Sequence, residues 1–364
     1  MEFLYELGLF AAQTLLIVVA IVAIILVIAG AAGQKNKSPE EGYIEVKSMN
    51  DRFDAYTAAI RDLSETDEAS KLRAKHDKKA AKAKAKAEKA RLKGAERKGA
   101  EKDAAQSIDI ASERPRTFVL DFEGDVMASQ VDALREEISA ILPNVQEGDE
   151  VVLRLESPGG VVHGYGLAAS QLSRIKDAGV TLVIAVDKVA ASGGYMMACV
   201  GDRILAAPFA ILGSIGVVAQ LPNFHRLLKK NDVDFEQFTA GEYKRTVTMF
   251  GENTDKGRRK FENELEETHG LFKQFVAANR PAVDVNKVAT GEVWYGTQAL
   301  EEGLIDAIST SDSYLQAQTG ERDLFEVHYR RKQKLAERMG FAAELTFDRL
   351  ITRAWQRLTE SRYF

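Results

Sequence analysis

The sequence predicts an α/β domain with a largely parallel sheet, preceded by a transmembrane helix and a Lys/Ala-rich linker. Short apolar runs alternate with helical patterns from Arg116 onward, which is typical of parallel sheets. A long uncharged apolar run lies near the N-terminus, and a segment of almost only Lys, Ala, Glu and Arg follows it. The predicted boundaries are 1–34 for the membrane anchor, 35–115 for the linker, 116–325 for the α/β domain and 326–364 for an amphipathic helical tail.

The anchor is predicted from the run LLIVVAIVAIILVIAGAAG, which contains no charged residue. A helix needs ~20 apolar residues to cross the ~30 Å hydrocarbon layer of a bilayer. A cleaved signal peptide fits less well, because Glu2 and Glu6 precede the run and no basic residue does. Lys35 and Lys37 follow it, so the positive-inside rule favours a single-pass protein whose main domain faces the cytoplasm.

The linker contains a strongly basic stretch, residues 71–106, with a side-chain net charge of about +9. It lacks large apolar residues, so it cannot be a core element. Contact with anionic lipid headgroups or with RNA is one interpretation, and a solvated helical or disordered spacer is the favoured one. The whole chain of 364 residues carries a net charge of −5, which argues against a specific nucleic-acid partner.

The α/β domain is predicted element by element. Apolar residues at helical spacing in SQVDALREEISAIL indicate a helix, and HGYGLAASQLSRIKDAG reads as a helix that ends at Gly179. The long helix DKGRRKFENELEETHGLFKQFVAANR has an apolar face of Phe261, Leu265, Phe272 and Val276. A short apolar helix is expected in GGYMMACVG, and strands are expected in TFVLDFEG, EVVLRLE, VTLVIAV and RILAAP.

A second apolar stretch, APFAILGSIGVVAQLPNF, could be taken for another membrane span. It is short, contains two prolines and several small residues, and lies inside the α/β pattern. A buried strand and loop is therefore the favoured interpretation.

Three glycine-rich corners follow predicted strands: LESPGGVVHG, DKVAASGGYMMA and LGSIGV. Glycines in such corners let the backbone approach a ligand closely, and their exposed amides can bind a developing oxyanion. Ser192 stands in the second corner, directly before the short apolar helix, where it is either a turn residue or a nucleophile.

No local signature supplies a histidine base for Ser192. His76 lies in the basic stretch, His269 lies within the long helix, and His163 has no acidic partner in its motif. A desolvated lysine can serve instead, and Lys244 in AGEYKRTVTMFGENT has an unusual setting for a lysine. From the residues alone, a solvated Lys244 side chain remains the favoured alternative.

Five motifs, in order, resemble the signal-peptide-peptidase-A-like serine peptidase family, and in particular its SohB branch. They are SPGG, VAASGGYMMACVGDRILAAP, LGSIGV, GEYKR and GEVWYGTQALEEGLID, and they extend from about Arg116 to about Ser309. The anchor and the basic stretch also resemble the N-terminal extension of that branch. The resemblance implies a ClpP/crotonase-like fold, a bacterial inner-membrane location and assembly of protomers into a homo-oligomeric ring.

Carried onto this sequence, the resemblance makes Ser192 the nucleophile and Lys244 the general base. Ser214 matches the serine that orients the lysine, and the amides of Gly160 and Gly193 match the oxyanion hole. In the family the lysine can reach the serine of a neighbouring protomer. The implied substrates are peptides or proteins, such as signal peptides or fragments of membrane and envelope proteins, and neither a cofactor nor a metal is expected.

Two other functions remain open at this point. A crotonase-like acyl-CoA enzyme would use similar oxyanion geometry with a carboxylate acid/base, for which Glu156 is the one candidate at the corners. An inactive membrane scaffold would use the basic linker to gather partners, but it would have no need for both Ser192 and Lys244.

Overall fold

The computed structural model describes residues 42–64 and 114–331, together with isolated helical positions between 72 and 86. Ile44–Tyr329 form one compact unit, which contains almost all of the described chain. Outside this unit the structure describes only Gly42 and Tyr43, at the start of the first strand, and Arg330 and Arg331, at the end of the last strand.

A seven-stranded sheet forms the centre of the main unit, in the order β1-β10-β2-β3-β4-β6-β9. Every pairing from β10 to β9 is parallel, as the alternating pattern predicts. The bounds of its strands are β1 Tyr43–Ser48, β2 Arg116–Glu123, β3 Glu150–Glu156, β4 Thr181–Val186, β6 Arg203–Ala206, β9 Ala307–Ile308 and β10 Asp323–Arg330.

Helices cover both faces of this sheet, so its strands read as nearly continuous apolar runs. Alternate residues along a strand point to opposite faces. Leu153 of β3 belongs to the larger core, whereas its neighbour Val152 belongs to a smaller core on the other face. The helices are α1 Met49–Ser64, α2 Val131–Ile141, α3 Val162–Asp177, α4 Gly193–Ala198, α5 His225–Lys230, α6 Asp255–Asn279, α7 Val285–Val288, α8 Gly296–Glu301 and α9 Ser311–Gln318.

The predicted end of α3 at Gly179 is confirmed, and capping residues are found at two helix ends. Gly179 follows α3 with φ +75°, a conformation that glycine adopts without steric cost, and its amide donates to the Lys176 carbonyl at 2.8 Å. At the start of α6, the Thr254 side chain accepts a hydrogen bond from the Gly257 amide. Phe272 and Val276 on the predicted apolar face of α6 are buried.

A small second sheet consists of β5 Val189–Ala191, β7 Ile211–Gly213 and β8 Val293–Tyr295. Strand β7 pairs in parallel with β5 and antiparallel with β8. It lies in the stretch that could be taken for a second membrane span, and Leu212 and Ile215 there are fully buried. The buried strand is confirmed, whereas residues 218–224 of the predicted loop are exposed.

Two segments differ from the predicted organisation. Residues 43–64, assigned by composition to the linker, form β1 and α1, and β1 lies beside β10 at the edge of the main sheet. Met49 is buried, and the Asn50 side chain donates to the carbonyls of Thr319 and Arg322 and accepts from the Leu324 amide. Residues 326–330, assigned to the helical tail, belong to β10. These segments are structured by partners far away in the chain, which a local pattern does not report.

In the described part of the chain, no helix is both long and apolar enough to cross a membrane. The predicted anchor at 1–34, most of the basic stretch and the predicted tail beyond residue 331 lie outside the described residues.

Candidate active site

Ser192 occupies a strained turn between β5 and α4. Its φ of 53° and ψ of −118° are rarely adopted by residues other than glycine. The turn is held because the Ser192 amide donates to the Gly213 carbonyl at 2.7 Å and its carbonyl accepts from Met196 at 2.9 Å. Strain of this kind costs about 1–3 kcal/mol and clusters at functional sites. The strained conformation therefore indicates that Ser192 is a functional residue.

A cavity of about 660 Å³ opens beside Ser192. The three glycine corners, α6 and the loop before β8 surround it, so residues from widely separated parts of the chain meet there. It is lined by Pro158, Gly159, Gly160, Val162, Ser192, Gly193, Met196, Ser214, Gly216, Val217, Val218, Thr268, His269, Phe272, Thr290 and Gly291. Four of the five predicted site residues, Ser192, Ser214, Gly160 and Gly193, are therefore brought to one cavity.

The amides of Gly160 and Gly193 are free to bind a ligand, since no group in the described residues accepts from either. Gly193 is the first residue of α4, and the first amides of a helix have no partner within it. The neighbouring Gly159 amide is engaged, because it donates to Ser157 Oγ at 3.1 Å. Gly159 itself has φ +90° and packs so closely that a Cβ there would lie 2.7 Å from the Gly193 nitrogen.

Ser214 also lines the cavity from a strained backbone position, with φ 48°. Its amide donates to the Glu292 carbonyl at 2.7 Å, in the loop before β8. Within the described residues, the hydroxyls of Ser192 and Ser214 have no hydrogen-bond partner. Both hydroxyls are therefore available to a group that is not among the described residues.

Lys244, the fifth predicted residue, does not line the cavity. It is exposed in an irregular segment between α5 and α6, where its amide donates to the Gly241 carbonyl at 3.2 Å. The adjacent Tyr243 ring faces Lys256 and Lys260 of α6, and Glu242 pairs with Lys256. The structure thus does not bring Lys244 and Ser192 of one chain together in the cavity.

His269 is the one ionisable side chain among the described residues that line the cavity. Its Nε2 lies 3.2 Å from the Ile215 carbonyl oxygen. From the sequence, His269 is expected only as a residue within a long helix, with no functional role. A signal was present, because His269 lies four residues after Leu265 and three before Phe272, on the apolar face of α6.

Two other groups that could take part in catalysis, a cysteine and a glutamate, do not line the cavity. Cys199 is buried, and burial raises the pKa of its thiol to about 12, so it stays protonated and is a poor nucleophile. Glu156 pairs with Lys188 at 2.8 Å and does not line the cavity. None of the described residues that line the cavity carries a carboxylate.

The carboxylates of Asp121 and Glu326 lie near His328 in an arrangement that could in principle hold a metal. Arg154, however, binds both carboxylates, at 2.5 Å to Asp121 and 2.6 Å to Glu326. Burial alone would raise the pKa of Glu326, but Arg154 lowers it. Arg52 also lies 3.8 Å from Glu326, so two guanidinium groups face the two carboxylates and the cluster is an ion-pair network.

Two family models match this chain in succession. "Peptidase family S49 N-terminal" matches residues 2–172, and "Peptidase family S49" matches residues 174–324. The chain belongs to peptidase family S49. The S49 match includes Ser192, Ser214 and Lys244, and the N-terminal match includes Gly160.

Curated relatives of this S49 peptidase are similar over most of their length. "Probable protease SohB" of Haemophilus influenzae is 51% identical over 95% of this chain and 94% of the relative. "Probable protease SohB" of Buchnera aphidicola subsp. Schlechtendalia chinensis is 46% identical over 86% of this chain and 99% of the relative. The family resemblance found in the five motifs is confirmed.

Among solved structures, the 1510-N membrane-bound stomatin-specific protease matches 57% of this chain and 86% of its own, with 14% identity and a TM-score of 0.37.

Proposed function

We propose that this S49 peptidase is a membrane-anchored serine endopeptidase with Ser192 as nucleophile and Lys244 as general base. The observation that carries the proposal is the strained Ser192 turn, which lines a cavity together with the unengaged amides of Gly160 and Gly193. Its fold is of the ClpP/crotonase type, and Ser214 orients the lysine amine.

The chemistry follows from this arrangement. A neutral lysine amine takes the proton of Ser192 Oγ as the oxygen forms a bond to a peptide carbonyl carbon. The carbonyl oxygen becomes an oxyanion, which the amides of Gly160 and Gly193 stabilise by about 3 kcal/mol per donor. The C–N bond then breaks, the lysine returns the proton to the leaving amine, and water releases the acyl group from Ser192.

Lys244 is proposed to act on Ser192 of a neighbouring protomer. Two observations support this: Lys244 is exposed and away from the cavity, and residues 217–254 around it leave many apolar side chains in solvent. Exposed apolar patches of this kind mark protein contacts. A ring of copies would cover the segment and desolvate the lysine at the same time.

The substrates are proposed to be signal peptides or fragments of membrane and envelope proteins. Anchoring by residues 1–34 in a bacterial inner membrane would hold the site near such chains. The basic residues that follow the apolar run favour a cytoplasmic active site. Protease added to spheroplasts should spare the main unit, while digestion from outside with a cytosolic marker protected would place the domain on the other face.

The acyl-CoA alternative is weakened by the absence of a carboxylate among the described residues that line the cavity. Turnover of peptide esters, without turnover of acyl-CoA thioesters, should separate the two functions. The scaffold alternative predicts no turnover at all.

The decisive experiment compares three variants of the full chain in detergent. Ser192→Ala and Lys244→Ala should each abolish peptide hydrolysis and labelling by a fluorophosphonate probe, with thermal stability close to that of the parent. His269→Gln tests the one ionisable side chain among the described residues that line the cavity. Near-normal turnover by Lys244→Ala, combined with loss of activity in His269→Gln, would make His269 the base and refute the Ser-Lys pair.

A further inference from the structure

A chain of hydrogen bonds underlies the glycine corner that follows β3. The Gly159 amide donates to Ser157 Oγ at 3.1 Å, Ser157 Oγ lies 2.6 Å from the Tyr165 hydroxyl, and that hydroxyl donates to the Asp125 carbonyl at 2.8 Å. A carbonyl only accepts, so the single Tyr165 hydroxyl proton is committed to Asp125. Ser157 must therefore donate to Tyr165 and accept from Gly159. All three hydrogen bonds then run in one donor-to-acceptor direction, from the Gly159 amide to the Asp125 carbonyl.

These groups are shielded from water. Ser157 and Tyr165 are both 0% exposed, and burial raises the pKa of the Tyr165 phenol, which keeps its proton available for donation. A buried hydroxyl that loses its partner costs about 1–3 kcal/mol. Any movement of the corner that breaks one of these hydrogen bonds is therefore strongly unfavourable.

The same two residues contact the second half of the site. A Cβ at Gly193 would overlap the Tyr165 ring, so the ring packs directly against the backbone that carries the second free amide. The Ser157 backbone accepts from the Ala191 amide at 3.0 Å, immediately before Ser192. The Tyr165–Ser157 pair thus contacts both the corner that holds Gly160 and the turn that holds Gly193.

The loop after β2 completes the support. The Val161 amide donates to the Val126 carbonyl at 2.8 Å, and a Cβ at Gly160 would collide with that same carbonyl. Gly160 is therefore held between this loop and the Gly159–Ser157 hydrogen bond, with little freedom to rotate its amide.

We propose that Tyr165 and Ser157 are positioning residues that hold the Gly160 and Gly193 amides in a single oxyanion-binding arrangement. This inference rests on the proposed function, since it requires an oxyanion to form at Ser192. Neither side chain lines the cavity, so both act through the backbone that they hold.

The test is Tyr165→Phe, which keeps the ring against Gly193 and removes only the hydroxyl, together with Ser157→Ala. The matched control is Tyr195→Phe. Tyr195 is equally buried, and its hydroxyl also donates to a backbone carbonyl, that of Leu304, at 2.9 Å. The measurements are kcat and KM on a fluorogenic peptide, the inhibition constant of a peptide aldehyde, and thermal stability.

We expect Tyr165→Phe and Ser157→Ala to lower kcat by about 10-fold or more with KM changed less than about twofold. Affinity for the aldehyde, whose adduct with Ser192 presents a similar oxygen to the amides, should fall by the same factor. The double variant should lose little more than the worse single variant, because the two hydroxyls act as a unit. The control, Tyr195→Phe, should lose a comparable amount of stability but keep the kcat of the parent and its affinity for the aldehyde.

Two results would overturn the inference: variants that match Tyr195→Phe in kcat and in aldehyde affinity, or a kcat loss without a loss of aldehyde affinity. A Ser192→Ala sample measured in parallel separates this failure from a wider one. If Ser192→Ala stays active, the proposed function and the positioning role both fall. If Ser192→Ala is inactive and Tyr165→Phe behaves like Tyr195→Phe, only the positioning role is refuted.

Discussion

At the residue scale, two residues that line the cavity have strained backbone conformations. Ala128, Ser192, Ser214 and Asp232 are the non-glycine residues with positive φ in the described chain, and Ser192 and Ser214 both line the cavity. Hydrogen bonds from their amides to Gly213 and Glu292 offset that cost. A side chain kept in a conformation suited to glycine indicates that the hydroxyl, and not the turn, is what the position requires.

This strain has a measurable consequence. Ser192→Gly should be more stable than Ser192→Ala by about 1 kcal/mol, because glycine relieves the strain and alanine does not. Denaturant unfolding of the two inactive variants measures the difference.

Ser170, exposed in the middle of α3, supplies the control. There the order should reverse, with the glycine variant less stable than the alanine variant by about 1 kcal/mol. Equal stability of the two variants at position 192 would show that the turn carries no strain.

At the element scale, one carboxylate joins the end of α6 to the main sheet. Arg280, directly after α6, binds Asp306 through two hydrogen bonds of 2.9 and 2.8 Å. Asp306 also accepts from the Ile204 amide, in β6, at 2.7 Å. Because α6 carries Thr268, His269 and Phe272 to the cavity, this junction fixes one wall of the site.

The junction predicts a pH dependence. Burial alone would raise the pKa of Asp306, but Arg280 and the Ile204 amide together lower it below its ordinary value. A depressed carboxylate pKa stabilises the fold above the unfolded-state pKa and loses this effect as pH falls through the folded-state pKa. Asp306→Asn should therefore cost about 1 kcal/mol at neutral pH, a modest figure because the carboxylate is partly exposed.

Unfolding measured at pH 7 and near pH 3 tests this, with Asp177→Asn as the exposed control on α3. The difference between Asp306→Asn and the parent should shrink at the lower pH. A difference that stays constant across this range would show that the charge of Asp306 is not what stabilises the junction.

At the scale of the whole molecule, the active site is incomplete in one chain under the proposed mechanism. Residues 217–254 carry exposed apolar groups such as Phe238, which is 89% exposed, and Lys244 lies among them. Closed rings arise when one surface of a protomer binds a different surface of the next. Such an arrangement would let each lysine serve the serine of its neighbour.

Mixing two inactive variants tests this arrangement. If Ser192→Ala and Lys244→Ala chains are unfolded and reassembled together at equal amounts, about a quarter of the sites should combine an intact serine with an intact lysine from the neighbour. Activity should return to about that fraction of the parent. A base acting within its own chain predicts no recovery, although the mixed particles still form.

Much of this protein is determined by local pattern. The parallel sheet, the helices α2, α3 and α6 and the three glycine corners follow from periodicity and capping residues, because burial on one face imposes a repeat that the sequence must carry. The motifs around Ser192, Ser214 and Gly160 likewise indicated the family, since a backbone that approaches a ligand closely requires small residues in fixed order.

Only the tertiary structure decided which distant groups meet. It placed β1 at the edge of the main sheet, tied the helix that follows to β10 through Asn50, brought His269 to the cavity, and left Lys244 outside it. It also joined Ser157 to Tyr165 and Asp125 by hydrogen bonds that no sequence motif predicts. The physical reason is that a sequence pattern reports how far each position is buried, whereas the partner that buries it depends on strand order and packing across the whole chain.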